Sequence, residues 1–442
     1  VDFISNKEAQ NREMLAAIGV PSIESLFQSI PQHLRIPAPE EDDGISEFEA
    51  LKLMERLASQ NTFSQFTSYL GAGAYEHHVP ALVSAVTSKS EFLTAYTPYQ
   101  AEASQGMLQL IFEFQSAICA LTGMDVSNAS LYDGASACGE AMLMTLRLHK
   151  GRNKVLIASS LHPHYIGVVK QYLESHKTEI HFIPVREDGL LDLDYVKQHI
   201  DDKTAGILVQ SPNFFGIIEE VKQIVSLAKE KDVLTVMCAN PLSYGLFATP
   251  AELDIDIAVG DCQPFGLPLN YGGPYVGYMA CRLNLVRQMP GRIVGETQDT
   301  QGRRGFVLTL QAREQHIRRE KATSNVCTNQ ALAALASLVS MLWYGKQGIP
   351  ELALTNYQRS EYLKQQLALP TLGGKRTFNE FAVKFKQPMP AVLHHFRKKG
   401  IQPGLELGRY YPQFRDYLLV AVTETKSQEQ LEQFASVAKE LE

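Results

Sequence analysis

No two of the six cysteines stand in C-x-x-C spacing, only one tryptophan is present, and no stretch has the length and apolarity of a membrane span. The spacing excludes a thioredoxin-type redox motif and an obvious zinc site; buried thiols in a reducing compartment are expected instead. A span needs about 20 mostly apolar residues. Of the two longest uncharged windows, the one between Asp261 and Arg282 carries three prolines and four glycines, and the one between Lys321 and Lys346 opens with six polar side chains among Thr323–Gln330. Excess positive charge is also missing: the net charge is −7, which gives no electrostatic case for nucleic acid or anionic lipid as partner. Residues Val1–Gly19 mix charges without an apolar core, so no secretory leader is expected and a cytoplasmic location follows as the expectation.

What the chain does have is ordinary globular composition, 45% apolar and 20% charged, over 442 residues. That length accommodates two to four domains at about 100–200 residues each. Residues 1–60 read as an amino-terminal segment with helical patterns near Ser22–Ile30 and Phe48–Ala58, divided by a solvated acidic turn at Pro37–Gly44. In the part that follows, residues 61–325, β-rich runs recur at Val155–Ala158, Ile180–Val185, Gly206–Val209, Val233–Cys238, Ile255–Val259 and Val276–Cys281. Helical spacing lies between them at Pro163–Glu174, Asp192–Ile200 and Glu219–Lys231. The alternation predicts an α/β domain whose mostly parallel sheet collects ligands at the carboxyl ends of its strands. An uncharged helix over Asn329–Tyr344 opens a smaller α+β domain, residues 326–442. Its strands are expected at Phe378–Phe385 and Tyr417–Thr423, and its helices at Met389–Lys399 and Gln428–Leu441.

Five segments can carry chemistry. The turn Tyr96–Gly106 sets two tyrosines and a glutamine around a proline, which suits a pocket wall and equally suits plain packing. Asp133–Glu140 opens a helix with small residues whose free N–H groups can seat a phosphate, while Asp133 can simply cap the helix. His162 and His164 form an H-x-H pair at a strand end, and His77 and His78 adjoin. No acid or thiol stands close enough in sequence to complete a metal set at the H-x-H pair, so no metal is expected at either place. Gly260–Pro274 must be an ordered loop, too rich in glycine and proline for a helix. Arg303–Lys321 is dense in arginine, fit either for oxyanion recognition or for a solvated helix face.

Taken in order, these segments resemble one family. The runs Y-L-G-A-G-A-Y-E-H-H-V-P (Tyr69–Pro80), A-Y-T-P-Y-Q-A-E-A-S-Q-G (Ala95–Gly106), N-A-S-L-Y-D-G-A-S-A (Asn128–Ala137), G-G-P-Y (Gly272–Tyr275) and R-E-Q-H-I-R-R-E-K-A-T-S-N (Arg313–Asn325) are similar to the P-protein of the glycine cleavage system. The likeness is to its amino-terminal half, which some bacteria encode as a separate subunit 1. The resemblance implies a pyridoxal-phosphate (PLP) fold of type I, with a mixed, mostly parallel sheet in the large domain. It also implies a partner, subunit 2, in an α2β2 assembly, and an H protein whose lipoyl group takes the aminomethyl group left after decarboxylation of glycine.

Such a fold uses a Schiff-base lysine after a late strand and an aspartate beside the pyridine nitrogen. Here no lysine occurs between Lys231 and Lys321, the loop reading Asp261-Cys262-Gln263 instead, and no acid occurs from Val233 through Ala251, where Asn240 stands. The resemblance therefore implies a degenerate cofactor site at Asp133, Gly134, Ser136, His162, Asn240 and Gln263, with no catalytic residue in this chain and the PLP held by subunit 2. Tyr96, Thr97, Tyr99, Gln100, Arg313 and Asn325 are expected to form a wall of the partner's active site. Two alternatives remain at this point: an independent PLP enzyme using a displaced lysine such as Lys321 or Lys231, and a regulatory pseudoenzyme.

Overall fold

The structure, a computed structural model, describes residues 7–36, 44–374 and 376–441. The acidic turn expected at Pro37–Gly44 lies, up to residue 43, outside the described residues. The chain divides into two compact units, Val1–Phe63 and Ser64–Glu442.

The first unit holds helices α1 (Glu8–Ile18) and α2 (Glu47–Ala58), with short 3-10 turns at Glu24–Phe27 and Gln32–Leu34. Ser46 caps α2 by accepting from the Glu49 amide at 3.3 Å, while Glu49 reaches back to the Ser46 amide at 3.0 Å, a reciprocal capping box. None of the described residues of this unit is buried, although Ile18, Leu26, Phe27, Phe48, Leu51 and Met54 are among its exposed apolar side chains.

The second unit is built on a seven-stranded sheet. Its strands are β1 (Val126–Ser127), β2 (Lys154–Ala158), β3 (Glu179–Ile183), β4 (Thr204–Gln210), β5 (Leu234–Ala239), β6 (Ile257–Asp261) and β7 (Gly277–Cys281). The spatial order is β1-β7-β6-β5-β4-β2-β3. Strands β2 to β6 run parallel; β7 pairs antiparallel with β6, and β1, antiparallel to β7, runs in the direction of the others. All six expected strands are present within two residues of their expected ends.

Because side chains alternate along a strand, the near-continuous apolar runs feed two cores. Leu156, Ala158, Ile207, Val209 and Met237 join one, with α3 (Gln105–Thr122). Val155, Ile157, Leu208, Val236 and Cys238 join the other, with α4 (Gly134–Leu148) and α5 (Pro163–Glu174). Each fully buried Leu, Ile or Val contributes about 1.5–3 kcal/mol, so these strands hold both helix layers against the sheet. Helix α6 (Val221–Glu230) covers the first face through Val221, Ile224, Val225 and Ala228.

A hairpin follows, β8 (Ile293–Gln298) against β9 (Arg304–Thr309). It was not legible in the sequence because only Ile293 and Val294 of β8 are buried, leaving no alternating apolar pattern. The uncharged helix expected at Asn329–Tyr344 runs on as α7 (Ala331–Leu367), interrupted at Gly345, whose φ of 61° and ψ of −169° lie outside the helical region. That break lets Pro350 fall near the start of the second half, where a missing N–H does least harm. The chain closes on a three-stranded antiparallel sheet, β10 (Glu380–Lys384), β11 (Leu405–Glu406) and β12 (Tyr417–Ala421), in the order β10-β12-β11. Helices α8 (Met389–Lys398) and α9 (Gln428–Lys439) pack their apolar faces on it.

Candidate functional site

The parallel strands bring their carboxyl ends to one edge, where the chain leaves β2 toward His162, β5 toward Asn240 and β6 toward Gln263. Next to them begins α4. Asp133 caps this helix, accepting from the Ser136 amide at 2.7 Å and from its hydroxyl at 2.9 Å. The cap and the anion-seating alternatives are thus resolved in an unexpected way. The free amide at the helix start, that of Gly134, donates to the carboxylate of Asp261 at 3.1 Å. A carboxylate from the end of β6 occupies the place where a helix N-terminus favours an anion. Tyr165 closes the space above it: a Cβ on Gly134 would lie 2.6 Å from the tyrosine hydroxyl.

Burial drives the carboxyl of Asp261 up to about 7, the amides of Gly134 and Gln263 pulling the other way. Gln263, at the place expected for a lysine, is fully buried and fully engaged. Its Oε1 accepts from the Tyr75 amide at 2.9 Å, and its Nε2 donates to the carbonyls of Tyr75 at 2.8 Å and Leu267 at 2.9 Å. Asn240 caps the following 3-10 turn by accepting from the Leu242 amide at 3.0 Å, its own amide nitrogen buried without a partner. His162 receives the His164 amide on Nδ1 at 3.1 Å and bonds the Ala72 carbonyl through Nε2 at 2.8 Å. That pattern requires the Nε2–H tautomer, and burial lowers the ring's proton affinity to about 4, so it stays neutral near pH 7.

These groups surround a space of only about 30 Å³, lined by His162, Tyr165, Gln210, Cys238, Asn240 and Asp261 among others. That is the room of about one water molecule; small-molecule sites run to about 300–1,000 Å³. The residues present do not fit PLP. No lysine stands there, a carboxylate already occupies the anion place, and Tyr165 crowds the start of the helix. Sequence reasoning named Asp133, Gly134, Ser136, His162, Asn240 and Gln263 but missed Asp261, Tyr165, Tyr75 and Glu380. Glu380 accepts from the Tyr75 hydroxyl at 2.9 Å and the Ala72 amide at 2.6 Å, tying the smaller sheet to this edge.

The expected wall residues are spread along a different surface. Tyr96 and Tyr99 are 77% and 67% exposed, with ring centroids 6.4 Å apart. Gln100 is exposed beside them and Thr97 is half-buried. The Arg292 guanidinium lies over the Tyr99 ring at 5.7 Å. Arg313 is turned inward, donating to the carbonyls of Met289 and of Gly291, the latter at 2.7 Å. It thereby braces the segment that carries Arg292. Asn325 is exposed on the rim of a separate cavity that includes Glu140 and Arg147. His77 pairs with Glu424 at 2.8 Å, and His164 meets the Tyr410 hydroxyl at 3.1 Å. Among the described residues no group of three or more His, Cys, Asp or Glu side chains is placed to hold a metal.

With this geometry in view, likeness to known proteins decides the family. The sequence model of the glycine cleavage system P-protein matches residues 1–438. The chain belongs to the glycine cleavage system P-protein family. A P-protein relative from Protochlamydia amoebophila, named probable glycine dehydrogenase (decarboxylating) subunit 1, is 64% identical over the full length of both chains. A solved structure of glycine decarboxylase (P-protein) in inhibitor-bound form superposes with a TM-score of 0.89 at 38% identity, covering all of both chains. A sphingosine-1-phosphate lyase from Burkholderia pseudomallei, 17% identical, shares the fold at a TM-score of 0.68 over 92% of this chain and 93% of its own. The architecture of this P-protein chain is that of the type I PLP fold, an α/β large part with a mixed sheet and a smaller carboxyl-terminal α+β part.

Proposed function

We propose that this chain acts as subunit 1 of a two-chain glycine dehydrogenase (decarboxylating), keeping the fold of a PLP enzyme while leaving the covalent chemistry to subunit 2. The observation that carries this reading is the occupied anion place at α4: with Asp261 on the Gly134 amide and Gln263 clamped on Tyr75 and Leu267, this chain has neither room nor ligands for the cofactor. PLP then belongs to the partner, and the lipoyl group of the H protein is the acceptor of the aminomethyl group.

The part left to this chain is to shape the partner's site from outside. Exposed Tyr96, Tyr99 and Gln100, with Thr97 beneath them, offer rigid rings with hydrogen-bonding tips for positioning glycine or the lipoyl arm and for excluding water. Arg313 supports this surface through Gly291 and Arg292, and Asn325 adds a polar rim. The exposed apolar side chains of the amino-terminal unit, among them Phe27, Phe48, Leu51 and Met54, support an α2β2 assembly, because exposed apolar surface favours association. Among the described residues no helix is long and apolar enough to cross a membrane. The six free thiols suit the reducing cytoplasm.

A displaced lysine is disfavoured by position. Lys231 precedes β5, at the end of the sheet opposite Asn240, and six strand residues at about 3.3 Å each separate the two by roughly 20 Å. Lys321 is exposed on another surface.

The test is reconstitution. Glycine-dependent CO2 exchange should need both chains, and this chain mixed with PLP should show no borohydride-fixable adduct. A lysine–PLP adduct on the single chain, or full exchange by the partner alone, refutes the reading.

A further inference from the structure

Beside the last turn of α4 lies a cavity of about 750 Å³, between that helix end, the 3-10 turn Leu283–Gln288 and residues 310–323. Its walls carry six cations, Arg147, Lys150, Arg287, Arg313, Arg318 and Lys321, and no carboxylate. Lys and Arg are 41 of the chain's 442 residues, so eleven lining residues would by composition hold about one. On a chain of net charge −7 the cavity is a local reversal of sign.

Part of this charge serves the fold. Arg147 donates to the Gln288 carbonyl at 3.2 Å, Arg313 to the carbonyls of Met289 and of Gly291, the latter at 2.7 Å, and the Nε of Arg318 to the Ala312 carbonyl at 3.0 Å. The carbonyl end of α4 favours cations too, but a helix terminus offers only about half a charge. Two acids stand near without lining the space: Glu314, beside Arg313, pairs with His316 at 3.5 Å, and Glu140, which attracts Arg147, is buried against the Ser324 hydroxyl. Lys150, Arg287 and Lys321 are exposed and have no hydrogen bond or ion pair among the described residues. With the terminal nitrogens of Arg318, these open heads are what a ligand reaches. They come from three separate stretches of chain, and like charges gathered in one concavity focus their field into it.

We propose that this cavity binds a small polyphosphate, a ligand with two or more linked phosphoryl groups. A single phosphate brings at most about two negative charges. Linked phosphoryl groups bring more, and they present acceptor oxygens in several directions to guanidinium forks and ammonium heads. The apolar part of the lining is Leu310, Ala312 and Ala322, with no aromatic ring to stack a base. The phosphoryl chain is therefore what the cavity reads, whether free or carried on a nucleoside. The volume falls within the roughly 300–1,000 Å³ of small-molecule sites.

Calorimetric titration of sodium tripolyphosphate into the full-length chain, at about 0.05 M salt to limit screening, tests this. It is repeated on the complex with subunit 2, the cofactor fixed by borohydride. Tripolyphosphate should bind once per chain in both preparations, with ATP within about threefold of it and orthophosphate at least about tenfold weaker. Lys150→Gln combined with Arg287→Gln should weaken tripolyphosphate at least about tenfold, and Ala312→Glu, which adds a carboxylate to the lining, should do the same. Lys197→Gln combined with Lys222→Gln removes equal charge from exposed positions outside the cavity and should leave the affinity within about twofold. Absence of binding up to about 10 mM in the single chain, orthophosphate as tight as tripolyphosphate, or equal losses in the cavity and control variants overturns the proposal. Binding that vanishes in the complex overturns it too and assigns the cavity to subunit 2. Failure of the two chains to assemble would refute the subunit reading alone, because the single-chain titration stands by itself.

Discussion

Gln263, where a lysine was expected, serves the packing of this edge instead. Its carboxamide makes three hydrogen bonds to backbone groups of Tyr75 and Leu267, all buried. Gln263→Ala leaves two carbonyls and an amide short of partners and should destabilise the fold by about 3 kcal/mol in urea unfolding. Gln263→Lys should be at least as damaging and should gain no visible absorbance with PLP, because Asp261 and Tyr165 still crowd the space; a visible band removable by borohydride would contradict the fit argument. A second residue-scale consequence concerns acid. Burial raises the proton affinity of Glu424, but the hydrogen bond and charge of His77, with the His78 amide, outweigh it and hold the carboxyl at about 2 against 4.5 unperturbed. A carboxylate depressed on folding contributes stability that is complete above about pH 4.5 and is lost as pH falls toward 2. Glu424→Gln should therefore cost more stability at pH 5 than at pH 2; equal losses at both pH values would sink the linkage.

Among the elements, α7 lies between the seven-stranded and three-stranded sheets in the chain and depends on one unusual backbone conformation. Its first half buries Ala334, Leu335, Leu338 and Met341, and its second half buries Leu352, Ala353, Leu363 and Leu367. Between them Gly345 adopts φ 61° and ψ −169°, a region that a side chain tolerates poorly. No neighbour lies within 4 Å of a Cβ added there, so Gly345→Ala isolates the backbone strain. It should cost about 1–3 kcal/mol, read as a fall in the urea midpoint at constant slope; unchanged stability would show that the break relaxes into helix freely. The close approach at Gly134 is of the other kind, since there the obstacle is Tyr165 itself.

For the whole molecule, the proposed division of labour between two chains is what can be tested. On the proposed reading the chain acts together with subunit 2, and the exposed apolar side chains of the amino-terminal unit are where that contact is proposed. Phe48, Leu51 and Met54 are 65%, 57% and 61% exposed on α2. Replacing all three by serine should leave the melting temperature of the isolated chain within about 2 °C, as surface substitutions do, while weakening assembly with subunit 2 at least tenfold, about 1.4 kcal/mol, by sedimentation. Undiminished assembly would remove this surface from the interface.

The order of strands and helices in the central sheet was written in the sequence, because runs such as Val155–Ala158 and Gly206–Val209 are apolar on both faces and admit little else than buried parallel strands. The missing lysine and aspartate were equally plain, being matters of residue identity along the chain. What the sequence could not tell was what had taken their place. Asp261 meets Gly134 across 127 positions, Tyr75 meets Gln263 across 188, and Glu380 reaches Tyr75 across 305. No periodicity or spacing records such meetings, since each depends on where the sheet delivers the ends of separate strands. Tertiary structure alone therefore decided that Asp261 sits on the Gly134 amide and that Gln263 is held by Tyr75 and Leu267.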